Sequence, residues 1–154
     1  MVDLKRIVSV IQIESVRLCE SYCRSAVQPD ETADAINVNI SRKTPVVKEP
    51  TDNRSLRVET AFSLEVRSAD DDERLQAEIR ATFELSYAIP DEESFSPEEL
   101  EAFAEGNAVF NAWPYWRELV QASLARMSLP PLTLPVFRVV PAESADEAED
   151  DEDE

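Results

Sequence analysis

One stretch, from Phe110 to Phe137, limits what this chain can fold into more than any other. It joins a helical pattern that holds both tryptophans to an exit punctuated by prolines. Apolar residues recur at helical spacing from Trp116 to Met127, so one arc of the predicted helix is buried and the other is solvated. Pro114 lacks an amide N–H and has a fixed φ, which predicts that the helix begins or kinks there. Beyond Met127 the prolines are too frequent for a helix, so the chain must be extended.

Upstream of this stretch, alternation of apolar and polar residues predicts four strands. The alternation runs over 14–27 and 36–41, and it is most regular in two long segments, 56–67 and 75–89. The acidic connection from Ser68 to Arg74 is short enough to make the two long segments an antiparallel hairpin. Its three consecutive aspartates lack the glycine and the later glutamate of a calcium-binding loop, so we interpret the connection as a solvated turn.

The remaining segments supply helices and a loop. The segment from Ser96 to Glu99 carries an N-cap serine, a proline at N1 and a capping-box glutamate at N3. Gly106, the only glycine, is predicted to end this helix at a positive φ, before the helix of residues 110–127 begins. Apolar residues at helical spacing in 4–11 predict a short N-terminal helix. Residues 42–53, with two prolines, are predicted to form a loop.

Together these elements predict an α+β fold, a four-stranded antiparallel sheet with two C-terminal helices packed on one face. A chain of 154 residues with 43% hydrophobic content can bury one core without metals or disulfides. We assign residues 1–140 to this domain and 141–154 to a disordered acidic tail, because nine of the twelve residues from Glu143 to Glu154 are acidic and none is basic. The tail is either a solubility segment or a docking arm for a basic partner.

Composition argues against several function classes. The formal net charge of -18 repels phosphate backbones and anionic membranes, so no nucleic-acid partner is expected. No apolar run approaches the roughly 20 residues that span a bilayer, which predicts a cytoplasmic protein without membrane insertion. The chain has no histidine as a general base and no glycine-rich phosphate loop. Cys19 and Cys23, about 13 Å apart on one strand, are expected as reduced thiols. We expect no enzyme activity, no cofactor and no metal site.

The C-terminal half of the domain carries a family resemblance. The sequence WPYWREL from Trp113, followed by LARMSLPPLTLPVF from Leu124, resembles the Phe-Pro-Tyr-Ala-Arg-Glu helix and Leu-Pro-rich segment of the SecB family of bacterial protein-export chaperones. The positions that match one by one are Pro114, Tyr115, Arg117 and Glu118. The order of elements from Glu14 to Val140 also resembles that family. Trp116 stands where a small residue is usual, and the acidic tail replaces a further C-terminal helix.

The resemblance implies a homotetrameric, ATP-independent holdase that binds unfolded polypeptides along apolar grooves. Members of the family hand their clients to the translocase ATPase SecA, and some divergent members protect the antitoxin of a toxin-antitoxin system; both partners stay open at this point. The residues expected to line the groove are Tyr22, Phe110, Trp113, Tyr115, Trp116, Leu119 and Val120. The alternative is a non-chaperone adaptor that uses the sheet and the acidic tail to bind one folded partner.

Each aromatic residue in this set has a second interpretation, since aromatic side chains at helical spacing commonly pack in a core. Leu119 is central on the apolar arc and is expected to be buried, whereas Trp116, beside Arg117, is expected to be partly exposed at a rim. The alternation of the first strand places Val16, Leu18 and Tyr22 on one face. A single small sheet cannot cover that face, which predicts assembly into a dimer of dimers.

Overall fold

The computed structural model describes residues 2–48 and 54–136 of the chain. The strands are β1 (Gln12–Ser25), β2 (Ile36–Arg42), β3 (Val46–Lys48), β4 (Ser55–Ser68) and β5 (Leu75–Ala88). The helices are α1 (Leu4–Val10), α2 (Pro97–Phe103) and α3 (Val109–Arg126), with a π-helical turn (Ala104–Ala108) between α2 and α3 and a short 3₁₀ turn (Pro29–Glu31) after β1. The acidic tail lies outside the described residues.

The strands form one antiparallel sheet in the order β1-β5-β4-β2, and β3 pairs with β4 beyond the end of β2. The predicted α+β fold and the hairpin of the two long strands are confirmed. The predicted loop over 42–53 is wrong in part, because Val46–Lys48 adds a fifth, very short strand. Three residues after a proline give no alternation to detect, and only pairing with β4 makes them a strand.

The helical region is also more continuous than predicted. The capping box is confirmed, since Ser96 Oγ accepts from the Glu99 amide at 3.2 Å and Glu99 Oε2 accepts from the Ser96 amide at 2.8 Å. Gly106 does not end the helix, because it lies in the π-helical turn and its φ is not positive. The extra residue of a π turn lets the chain run on into α3 without a cap.

Pro114 lies inside α3 and does not begin it. The ring removes the bond that a residue 114 amide would make to the carbonyl of Phe110. Phe110 is an exposed residue, so its carbonyl is on the solvated side, where the loss of an intrahelical bond costs little. The predicted end at Met127 is confirmed, because this residue is the C-cap.

The core lies between the sheet and α3. Phe62 of β4 is at its centre: the Trp116 ring stacks on it at 5.4 Å between centroids, and Trp113 and Phe83 meet it edge-on at 5.9 and 6.1 Å. Trp116 has 0% exposure. We call the side of the sheet that carries α3 the helix face, and the opposite side the open face. The core therefore depends on one α3 surface packed on the two central strands.

A β-bulge in β1 changes which residues share a face. Val16 and Leu18 pair with Leu85 and Phe83, which point to the helix face. The register then shifts between Leu18 and Glu20, so beyond it Tyr22 pairs with Arg80 on the open face. The prediction that Tyr22 shares a face with Val16 and Leu18 is wrong, because the extra residue at the bulge reverses the alternation.

A chain of ion pairs links the strands across the open face. Glu84 of β5, which is buried, lies 3.0 Å from Arg17 of β1 and 3.0 Å from Lys48 of β3. Lys48 also reaches Glu59 of β4 at 2.9 Å. The hydrogen bonds from Lys48 and then from Arg17 hold the pKa of Glu84 below its usual range. Glu84 therefore ties three strands together, and Lys48 extends the network to a fourth strand through Glu59.

This network predicts a specific dependence of stability on pH. Because the pKa of Glu84 is lowered in the folded state, its contribution to stability is present above the ordinary glutamate pKa and is lost as pH falls through the lowered value. We expect Glu84→Gln to be less stable than the parent chain at pH 7, and the difference to shrink between about pH 5 and pH 3. Urea unfolding at several pH values measures it. A difference that stays constant down to pH 3 would contradict the assignment.

Candidate functional site

The position of α3 on the helix face defines two flanks, one beside β1 and one beside β2. Near the start of α3, Asn111 Nδ2 donates to the Tyr87 hydroxyl at 2.9 Å, and Tyr87 pairs with Ile13 of β1. Near its end, Ser123 Oγ lies 3.4 Å from Cys23 Sγ of β1. The helix therefore runs alongside β1 from the Ile13 end to the Cys23 end.

Tyr87 of β5 contacts both of the helices that follow the sheet, α2 and α3. Its ring packs edge-on against Phe103 at 5.0 Å, which ties the end of α2 to β5. Burial raises the pKa of Tyr87 to about 12, and the Asn111 hydrogen bond opposes this only in part. The hydroxyl accepts the Asn111 hydrogen bond, and this contact ties the start of α3 to β5.

The flank beside β1 is apolar and open. Tyr115, Leu119 and Ser123 follow one another at intervals of four, so they form one stripe along α3, and the Ser123 contact turns this stripe towards β1. Tyr115 is 51% exposed and Leu119 is half-buried. Across from them on β1, Ile13 is 47% exposed and Leu18 is 46% exposed. We call these four residues, Ile13, Leu18, Tyr115 and Leu119, the β1 flank.

The flank beside β2 is filled by the chain itself. After α3, a turn at Ser128 with a φ of 58° leads into residues 129–136, which form neither helix nor strand and bury Leu129 and Leu134 against the core. Trp113 Nε1 donates to the carbonyl of Pro135 at 2.8 Å, and Arg117 Nε donates to that of Leu134 at 2.9 Å. Side chains of α3 thus bind backbone carbonyls of this segment, while its leucines enter apolar pockets. This flank shows how the helix face accommodates polypeptide that is neither helix nor strand.

The predicted groove residues divide into three groups. Three belong to the core: Trp116 and Val120 at 0% exposure, and Trp113, which also binds Pro135. Three lie at or near the surface of α3: Phe110 and Tyr115 exposed, and Leu119 half-buried. The seventh, Tyr22, is exposed on the open face, away from the others. The structure thus brings only Tyr115 and Leu119 together beside β1.

Two predictions about individual side chains are therefore wrong. Trp116 is not partly exposed at a rim but fully buried on Phe62, and Leu119 is half-buried instead of central in the core. α3 has the predicted apolar arc, but the centre of that arc faces β4, where Trp116 stacks on Phe62. Leu119 therefore lies at the side of the arc, towards the edge of the sheet. The first-strand alternation did single out Leu18, yet Ile13 was missed because it precedes the predicted start of the strand.

The outer edge of β1 adjoins this surface. β1 is a terminal strand of the sheet, fourteen residues long and exposed along nearly its whole length. Backbone groups on its free side have no strand partner among residues 2–48 and 54–136. Long exposed edges are templates for pairing with another extended chain or another copy. The β1 flank and the β1 edge together form a continuous apolar and hydrogen-bonding surface.

Three other features of the described residues bear on function: possible metal ligands, the cysteines and the length of the helices. Within 2–48 and 54–136, no group of three or more acidic, cysteine or histidine side chains is placed to hold a metal ion. Cys19 and Cys23 are free and exposed. Among the same residues, no helix is both long and apolar enough to cross a membrane. What the surface can do is bury apolar side chains without directional requirements.

The chain has the SecB-like fold. Its structure is similar to that of the Mycobacterium tuberculosis Rv1957 SecB-like chaperone in complex with a ChAD peptide from the Rv1956 HigA1 antitoxin. The TM-score is 0.75 at 22% sequence identity, and the alignment covers 88% of this chain and 96% of that one. The predicted SecB-like fold is thereby confirmed, including the long C-terminal helix on the antiparallel sheet.

Other comparisons add no further information on function. No protein-family model and no curated protein matches the sequence. A protein of unknown function from Streptococcus agalactiae aligns with 81% of this chain and 96% of that chain, at 12% identity and a TM-score of 0.38. That likeness is too weak to support an argument.

Proposed function

We propose that this protein is an ATP-independent holdase that binds an unfolded polypeptide on the β1 flank. The observation that carries the proposal is the cluster of half-exposed apolar side chains, Ile13, Leu18 and Tyr115, beside an unpaired strand edge on a SecB-like fold. Exposed apolar surface of this kind marks an interaction site. An extended client gains backbone hydrogen bonds at the β1 edge and buries side chains against α3.

A dedicated client is favoured over general protein export. The similar SecB-like chaperone from Mycobacterium tuberculosis holds a peptide of an antitoxin. The β1 flank has the size for a few anchoring side chains of such a segment, since it offers four apolar residues along one helix and one strand. We therefore propose an antitoxin-like segment as the client and the cytoplasm as the compartment, with delivery to SecA as the less supported role. No catalytic step is required of the protein.

The function is tested by suppression of aggregation without nucleotide. A chemically unfolded model protein is diluted into buffer with and without the chain, and light scattering is followed. We expect stoichiometric amounts to suppress scattering, with no change on adding ATP, because burial of apolar surface needs no energy source. A folded protein of similar size and charge is the control. If scattering is unchanged and only one native partner is bound, the protein is an adaptor and the proposal is wrong.

We also propose that the protein assembles as a dimer of dimers. The β1 edge is the client surface, but β2 is a second terminal strand of the sheet, and its exposed residues Ile36 and Ile40 are surface that another copy can cover. Multi-angle light scattering at micromolar concentration is expected to give about four times the chain mass of 17.4 kDa. A mass of one chain at that concentration would contradict the assembly, without bearing on whether the monomer binds a client.

A further inference from the structure

The free edge of β2 differs from that of β1 in the features that keep a strand edge from pairing. The pairing of β2 with β4 is regular over the whole strand, and residues 36–41 include no charged residue and no proline. β1 has two register shifts against β5 and carries four charged residues, Glu14, Arg17, Glu20 and Arg24. Because bulges, charges and prolines protect natural sheet edges, β2 is the edge suited to regular pairing with another strand.

The hydrogen bonds to β4 show which backbone groups of β2 point outwards. The Lys43 amide donates to the Ala61 carbonyl at 3.0 Å, and the Ala69 amide donates to the Ala35 carbonyl at 2.9 Å. Odd-numbered residues of β2 therefore bond to β4, and the amides and carbonyls of the even-numbered residues point to the free edge. A second β2 can bond this edge only through even-numbered residues of both copies.

One register of two antiparallel β2 strands satisfies the side chains as well as the backbone. With Val38 opposite Val38 of the second copy, Ile36 lies opposite Ile40. These isoleucines are 38% and 40% exposed, so the pairing covers both with apolar surface. The same register sets Asp34 opposite Arg42. A shift by two residues would place either Ile36 opposite Arg42 or Ile40 opposite Asp34, so the side chains select the register centred on Val38.

Asp34 and Arg42 give this contact its charge complementarity. Both side chains are exposed, and neither makes an ion pair with any residue of 2–48 or 54–136. Within one chain they lie near opposite ends of β2, about 27 Å apart at roughly 3.3 Å per residue, so they cannot pair with each other. Between two copies they meet at both ends of the paired strands, where opposed unlike charges stabilise the pairing.

We propose that two copies join antiparallel through their β2 edges, with Val38 at the two-fold axis. This rests on the proposed assembly through β2 and adds the register of the contact. Strands paired about such an axis belong to one continuous sheet, so the helix faces of both copies are on the same side. The β1 edges then lie at the two outer ends of that sheet, and each β1 flank stays open for a client.

A cysteine scan along β2 measures the register. In chains with Cys19→Ser and Cys23→Ser, single cysteines replace residues 36–40 in turn, and disulfide-linked dimers are quantified after mild oxidation, normalised to the reactivity of each thiol. Only a residue opposite its own copy can link to itself, because directly opposed Cα atoms are about 5.5 Å apart, within disulfide range. We expect Val38→Cys to link at least about fivefold faster than Ile36→Cys or Ile40→Cys, whose own copies lie out of range.

Charge reversal tests the ends of the contact. In the Val38→Cys chain, Asp34→Arg or Arg42→Asp alone sets like charges opposite each other twice, and we expect linking in dilute solution to slow by about tenfold. The two changes together restore opposite charges and are expected to restore the rate. Arg126→Asp, at the exposed end of α3, is the matched control and should leave the rate unchanged. No recovery in the double variant would overturn the proposal.

The assembly and the holdase function are read separately on unoxidised samples. Fastest linking at another residue, in a protein that assembles, would overturn this register alone. A single-chain mass by light scattering would overturn the assembly and the register together. Suppression of aggregation depends on neither result, so the proposed holdase function stands or falls separately.

Discussion

Replacing Trp116 by alanine is expected to lower the free energy of unfolding by about 3–5 kcal/mol. The indole is fully buried and stacks on Phe62 at 5.4 Å, with the two ring planes within 15°. Removing it leaves a cavity between α3 and the two central strands, which the surrounding rings cannot refill without moving. Denaturant unfolding followed by circular dichroism measures the loss.

The matched control for this variant is Tyr115→Ala, which removes an aromatic ring from the preceding position of the same helix. Tyr115 is half exposed, so we expect a change within about 0.5 kcal/mol, as is usual for surface positions. Equal losses for the two variants would show that the burial assigned to Trp116 is not what stabilises the domain. A parent-like stability of Trp116→Ala alone would lead to the same conclusion.

Local signals made much of the fold predictable. The capping box at Ser96 needs only residues three apart, and its two hydrogen bonds are present. The hairpin of β4 and β5 follows from two regular alternations joined by a short acidic turn. These elements depend on neighbours in sequence, which is why composition and spacing sufficed.

Errors occurred where tertiary partners decide the structure. The bulge after Leu18 exists in the pairing of β1 with β5, and it alone moves Tyr22 to the open face. Gly106 had the spacing of a helix terminator, but the π-helical turn carries the chain into α3 without a break. A single sequence shows neither the register of two strands nor the continuation of a helix through its only glycine.

The candidate site was predicted only in part for a similar reason. A helical pattern identifies the apolar arc of α3, but it does not show which flank the following segment covers. Leu129 and Leu134 bury themselves beside β2, and this leaves the opposite flank open. Tyr115 and Leu119 were therefore found from the sequence, while Ile13 joined them only through the course of α3 along β1.

The double variant Leu18→Ser/Tyr115→Ser is expected to bind an unfolded client at least tenfold more weakly, with little change in stability. Both side chains are about half exposed in the free protein, so their loss leaves no cavity. In a complex with a client both side chains would be buried at the centre of the contact, where one anchoring side chain commonly contributes about 1–2 kcal/mol or more to the binding free energy. Removing both is therefore expected to weaken the affinity by about tenfold at the least. The matched control is Val8→Ser/Val46→Ser, which removes two valines from α1 and β3 whose side chains are about as exposed as those of Leu18 and Tyr115.

The most direct measurement is the dissociation constant of one fluorescently labelled, permanently unfolded polypeptide, titrated with the parent chain and these two double variants. Melting temperatures are recorded on the same samples. The holdase proposal predicts tenfold or greater weakening for Leu18→Ser/Tyr115→Ser, parent-like affinity for Val8→Ser/Val46→Ser and similar melting for all three. Parent-like affinity in both double variants would contradict it and remove the β1 flank as the client surface.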